Sequence, residues 1–138
     1  MTILKPECVA IHSKKQFSVS EKRSKVDFKN PNLYEIREIT VDKCVVTEGI
    51  RCDYLIIADD PDVSALVELK GSDVEHAIEQ LKSTHILLLE HCKKSKYWIV
   101  SSTRNPLSST EIQFFKVKIK RLFKVDLIIG NSPVQHKF

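Results

Sequence analysis

Residues 51–80, RCDYLIIADDPDVSALVELKGSDVEHAIEQ, decide how this chain folds. Asp53 to Ala58 is apolar at nearly every position after the Asp, as in a central strand covered on both faces. Asp59-Asp60-Pro61-Asp62 follows with turn chemistry, Pro61 fixing φ and the aspartates favouring turn geometry. Val63 to Lys70 is the returning strand. If the loop is Asp59–Asp62, Ala58 faces Val63, and the same register puts Asp53 directly across from Glu68. Opposed residues of an antiparallel pair share a face, with Cβ atoms about 4.5–5.5 Å apart. Lys70, two residues beyond Glu68, shares it as well. A slip of one residue would separate the two carboxylates.

Outward from this hairpin, the length of 138 residues predicts one domain over residues 1–138. Tyr34 to Val46 is β-branched and roughly alternating, so it reads as a strand of about a dozen residues that turns back at Thr47-Glu48-Gly49. Three consecutive strands make an antiparallel meander. Ser72 opens a helix as a capping box with Glu75, and Val74, Ala77, Ile78, Leu81, Leu88 and Cys92 form its apolar stripe. Lys93, Lys94 and Lys96 end that helix with cations, and Tyr97 to Val100 is a fourth strand. Thr110 to Lys124 fits both helix and strand; helix is favoured because Ser109 caps it and Val125 to Ile129 supplies a final strand. The tail from Ser132 is expected to be loosely held. Residues 1–33 have little periodicity and read as a basic N-terminal segment.

A content of 42% hydrophobic and 29% charged residues places the chain among globular proteins, not disordered or membrane-spanning ones. No apolar run reaches the ~20 residues of a spanning helix, and residues 1–15 lack a secretory-type apolar stretch. A cytoplasmic location is therefore expected, with Cys8, Cys44, Cys52 and Cys92 as reduced thiols. No CxxC pair supports a zinc site.

Charge is unevenly distributed. Residues 1–34 hold seven Lys and Arg against three acids, residues 35–90 five against thirteen, and residues 91–138 ten against two. Basic ends around an acidic centre suit a protein that grips phosphates while holding a divalent cation. Lys93, Lys94, Lys96, Lys116 and Lys120 are the candidate phosphate contacts, and solvated helix and loop faces account for them equally well. Two carboxylates as close as Asp53 and Glu68 repel each other unless a cation lies between them. Mg²⁺ fits, being held by one or two carboxylates with waters completing its shell, and Mn²⁺ is possible.

Asp53, separated by fourteen residues from Glu68-Leu69-Lys70, resembles the PD-(D/E)xK nuclease superfamily of restriction enzymes, Holliday-junction resolvases and RecB-like nucleases. The likeness spans roughly residues 34–102, and the order of three meander strands, a helix and a further strand is also similar. The resemblance implies an α/β (α+β) fold, with a restriction endonuclease-like mixed sheet of about five strands flanked by helices. It implies that Asp53 and Glu68 ligate the metal with help from the main-chain carbonyl of Leu69. Lys70 would be the catalytic lysine and Gln80 a supporting residue. The acid that the family usually takes from an N-terminal helix would be Glu35, with Glu7 and Glu48 behind it. The activity implied is Mg²⁺-dependent hydrolysis of nucleic acid, with DNA the expected substrate and a homodimer the assembly many such nucleases use to cut two strands. Two rivals remain: a non-catalytic module of the same fold that binds nucleic acid or a protein, and a structural subunit docking an acidic partner.

Overall fold

The computed structural model describes residues 4–91 and 95–138. In chain order its strands are β1 (Val9–His12), β2 (Gln16–Glu21), β3 (Ser24–Lys29), β4 (Ile36–Thr40), β5 (Tyr54–Ala58) and β6 (Val63–Lys70). Helix α1 (Val74–Leu87), strand β7 (Ser95–Ser102), helix α2 (Ser109–Phe123) and strands β8 (Asp126–Asn131) and β9 (Val134–Lys137) follow. Six strands form one mixed sheet in the order β1-β4-β5-β6-β7-β8, and β2-β3-β9 form a second.

The central strands are apolar throughout because the large sheet is covered on both faces. Leu55, Ile57, Leu66, Trp98 and Val100 point to the helices, where they meet Ala77, Ile78, Leu81 and Ile119. Ile56, Ala58, Ala65, Val67 and Ile99 point the other way and meet Phe17, Val19, Val26 and Phe28 of the small sheet. The molecule therefore has three layers, helices, large sheet and small sheet, with a core on each side of the middle one. Trp98 is fully buried at its centre; truncating a core tryptophan costs about 3–5 kcal/mol.

The meander forms as expected, with β4-β5-β6 antiparallel and Ala58 paired with Val63 across the Asp59–Asp62 turn. Arg37 braces this turn through two bonds to Asp59, at 2.8 and 2.7 Å. Helix α1 then crosses over to place β7 parallel to β6. The predicted second helix is also present. Its cap is Ser108, one residue before the expected one, in a reciprocal capping box with Glu111.

Other expectations are corrected. Strand β4 is five residues long, because Val41 to Val46 folds back on itself, with Val46 N–H donating to the Val41 carbonyl at 2.9 Å. Helix α1 is capped by Asp73, whose side chain accepts from His76 N–H, and it ends at Leu87. Ser95 and Lys96 open β7 instead of ending that helix. Cys92, Lys93 and Lys94 lie outside the described residues, as does the side chain of Lys96.

The largest correction concerns the two termini. The basic N-terminal segment is built into both sheets, and the tail is a strand: β9 pairs in parallel with β3, Val134 facing Val26. Phe17, Phe28 and Phe138 stack on one another, Phe28 lying 5.0 Å from Phe17 and 5.6 Å from Phe138 between centroids. Phe17-Ser18-Val19 and Val26-Asp27-Phe28 do carry a strand's period of two. Their outer positions are Ser, Lys and Asp, so each strand is too short and too polar to stand out in the sequence.

Cys8 and Cys44 form a disulfide, which overturns the expectation of reduced thiols for this pair. Cys52 is buried. The bridge ties the start of β1 to the turn after β4 and closes a loop with a sequence separation of 36. Closing such a loop in the unfolded chain is worth about 4 kcal/mol in the chain-entropy treatment. Reductant should therefore lower the denaturant midpoint of the native chain, and Cys8→Ser should lower it to the same extent without reductant. A native chain whose midpoint ignores reductant would show that the bridge contributes nothing.

Candidate functional site

Strands β6, β7 and β8 are parallel, so their carboxyl ends lie along one edge of the large sheet. Ligand sites of open α/β sheets lie outside such ends. A cleft of about 510 Å³ opens there, with Glu21, Asp42, Asp53, Glu68, Lys70 and Gln80 among its lining residues.

Asp53 immediately precedes β5. Its N–H donates to the Val67 carbonyl at 3.1 Å. The regular pairing ends at Tyr54 and Val67, and because Asp53 bonds to Val67 and not to Glu68, it departs by one residue from the register the sequence predicts. The Asp53 carboxylate accepts the Leu69 N–H at 2.9 Å through Oδ2. A strand residue directs its N–H and C=O to the same edge, so the Leu69 carbonyl also faces the Asp53 side. Lys70 Nζ lies 3.5 Å from Glu68 Oε2, and Glu68 Oε1 is buried without a hydrogen-bond partner.

Burial, with the adjacent Asp53 charge, pushes the Glu68 carboxyl up to about 9, against the opposing pull of Lys70. Burial also raises Asp53 to about 7. The Leu69 N–H works against that rise, and the nearby Glu21 and Asp42 add to it. Asp53 thus feels the charge of Glu21 and Asp42 and imposes its own on Glu68, which has Lys70 beside it.

Gln80 also lines the cleft, its Nε2 donating to the Arg51 carbonyl at 2.9 Å while its buried Oε1 has no partner. Glu35 does not join the site. It is exposed and precedes Ile36, which pairs with Ala58 at the far end of β5. At about 3.3 Å per residue, that leaves Glu35 more than about 15 Å from Asp53. The third acid is Glu21, from the turn between β2 and β3. Sequence reasoning missed it because Glu21-Lys22-Arg23-Ser24 contains no Gly or Asn to mark a hairpin. Its approach to Asp53 also depends on one sheet packing over another. Lys22, Arg23, Asp42 and Thr103 are further lining residues that the sequence did not single out. Lys116 and Lys120 lie on α2 outside the cleft, and Lys120 Nζ is bonded to Asp126 at 3.0 Å.

The donors suit a hard divalent cation. Among the described residues no three His, Cys, Asp or Glu side chains converge as a complete ligand set. Mg²⁺ needs only one or two carboxylates, the rest of its shell being water and substrate oxygen. The orphan Glu68 Oε1 and the raised affinity of both acids for protons mark negative charge that a cation would offset. Compared with protein-family models, with curated proteins and with solved structures, the chain matches none.

Both acids bind their protons more tightly in the folded chain than the unfolded values of about 3.9 and 4.3. Stability in chelator should therefore fall as pH rises from those values through the folded ones, near 7 and 9. Glu68→Gln should remove part of this loss. Its melting point should exceed that of the native chain by about 3 °C or more at pH 8, a gain of roughly 1 kcal/mol for this size. The difference should shrink towards pH 5, and equal melting curves at pH 8 would show that Glu68 is already compensated.

Proposed function

We propose that the chain is a divalent-cation-dependent nuclease that hydrolyses phosphodiester bonds of DNA, with Mg²⁺ as the ion and Mn²⁺ as a substitute. The observation that carries this reading is the hairpin register. It brings Asp53, Glu68 and Lys70 to one cleft, where Asp53 Oδ2 accepts the Leu69 N–H at 2.9 Å and Lys70 Nζ lies 3.5 Å from Glu68 Oε2. The succession β4-β5-β6, α1, β7, with β4 to β6 antiparallel, supports the PD-(D/E)xK resemblance of the motif.

A bound divalent cation would supply a Lewis acid that acidifies water and offsets charge growing on the phosphate. Asp53 and Glu68, with the Leu69 carbonyl, would hold it. The Leu69 N–H fixes one Asp53 oxygen, leaving the other for the ion. Lys70 would orient the attacking water and stabilise the negative charge of the transition state. In the reaction the water oxygen bonds to phosphorus as the bond to the leaving oxygen breaks. The proton released by water and the proton taken up by the leaving oxygen balance. Gln80 acts through another residue: its bond to the Arg51 carbonyl steadies the segment that presents Asp53.

With duplex, single-stranded and branched DNA as substrates, cleavage should require Mg²⁺ or Mn²⁺. Asp53→Asn and Lys70→Ala should each reduce it by about a hundredfold or more. Cleavage that survives both substitutions would sink the proposal. Salt-sensitive DNA binding without turnover would replace it with the non-catalytic module.

A further inference from the structure

The β2–β3 hairpin turns through Lys22 and Arg23, between the paired residues Glu21 and Ser24. Its tip is fastened to the carboxyl edge of the large sheet by three serine hydroxyls. Ser24 Oγ donates to the Lys70 carbonyl at 2.5 Å, and Ser101 Oγ of β7 donates to the Lys25 carbonyl at 2.7 Å. Ser132, between β8 and β9, accepts from Lys25 N–H at 2.8 Å and donates to the Arg23 carbonyl at 3.2 Å. A turn tied to three neighbouring segments holds its side chains at fixed places on the wall it forms.

That wall belongs to the acidic cleft, because Lys22 and Arg23 line it together with Asp53, Glu68 and Lys70. Both are exposed, and no hydrogen bond or ion pair among the described residues engages either side chain. Glu21, their neighbour, lines the same cleft, and its charge acts on Asp53. Two unneutralised cations thus stand rigidly beside a cluster of acids. That arrangement suits a ligand with several phosphates, one near the acids and others alongside. Arginine pairs with phosphate through two parallel bonds and lysine acts as a point charge.

Resting on the nuclease reading of the cleft, we infer that Lys22 and Arg23 form a phosphate clamp. They hold the backbone of a polynucleotide strand next to the bond being cut. The Ser24, Ser101 and Ser132 bonds keep the clamp in register with Lys70.

Binding of a fluorescent oligodeoxynucleotide, measured by anisotropy in EDTA over a range of salt, tests this without turnover. The double variant Lys22→Asn/Arg23→Ala is suitable, since Lys22 has φ 53 and asparagine tolerates that conformation. It should bind about tenfold or more weakly at low salt. Its plot of log K against log salt should be shallower by about 1.4–1.8, the value for two phosphate contacts. Lys29→Ala, at the other end of β3, should change neither. An unchanged slope, an equal loss in Lys29→Ala, or no binding by the native chain overturns the clamp. The two readings also fail separately. A chain that binds through the hairpin yet never cuts DNA keeps the clamp and loses the nuclease. A chain that cuts DNA with an unaltered KM in the double variant keeps the nuclease and loses the clamp.

Discussion

The pairing register of β5 with β6 is the constraint on which the rest of the structure depends. Ala58 faces Val63 and Tyr54 faces Val67. Each strand is buried on both sides, so a slip by one residue would exchange the residues facing the helices with those facing the small sheet. Leu66 would leave the helix-side core, and Ala65 and Val67 would enter it. The four-residue turn, braced from Arg37, prevents this. The same constraint sets the chemistry, because Asp53 and Glu68 are one step beyond the last core pair. Packing of the hydrophobic strands thereby aligns the two acids, with no bond between the acids needed to do so.

Burial on both faces also determines their electrostatics. In an ordinary edge strand Glu68 would be hydrated and ionised. Here it lies between two apolar layers with only Lys70 to offset its charge, so the neutral form is favoured. Asp53 is partly relieved by the Leu69 N–H and opposed by Glu21. The carboxyl edge of the sheet thus carries a strained electrostatic arrangement, held in place by a core whose stability comes from elsewhere. Carboxyl groups so perturbed in a cleft mark a candidate functional site.

The small sheet does two jobs. Its inner face supplies Phe17, Val19, Val26, Phe28 and Val134 to the second core. Its hairpin tip sets Glu21, Lys22 and Arg23 on the wall of the cleft that holds Asp53 and Glu68. The sheet is assembled from the two ends of the chain, β2 and β3 from one and β9 from the other. The termini are therefore part of the site's architecture. The Cys8–Cys44 bridge anchors the segment just before this sheet to the turn after β4.

Local patterns in the sequence determined the meander, the Asp59–Asp62 turn, both helices, and the meeting of Asp53, Glu68 and Lys70. These features rest on short-range rules: a turn that counts residues, a period of two in strands, and caps at helix ends. Boundaries moved by a residue where competing caps lay side by side, as at Ser72 and Asp73 or Ser108 and Ser109. Only the tertiary structure decided that the termini form a second sheet, that Cys8 reaches Cys44, and that Glu21 rather than Glu35 joins the acids. Each joins segments far apart in sequence, except the hairpin that carries Glu21, and that gains its place only by docking on the large sheet. No periodicity encodes such docking. It follows from which apolar face is left to cover once the central strands have paired.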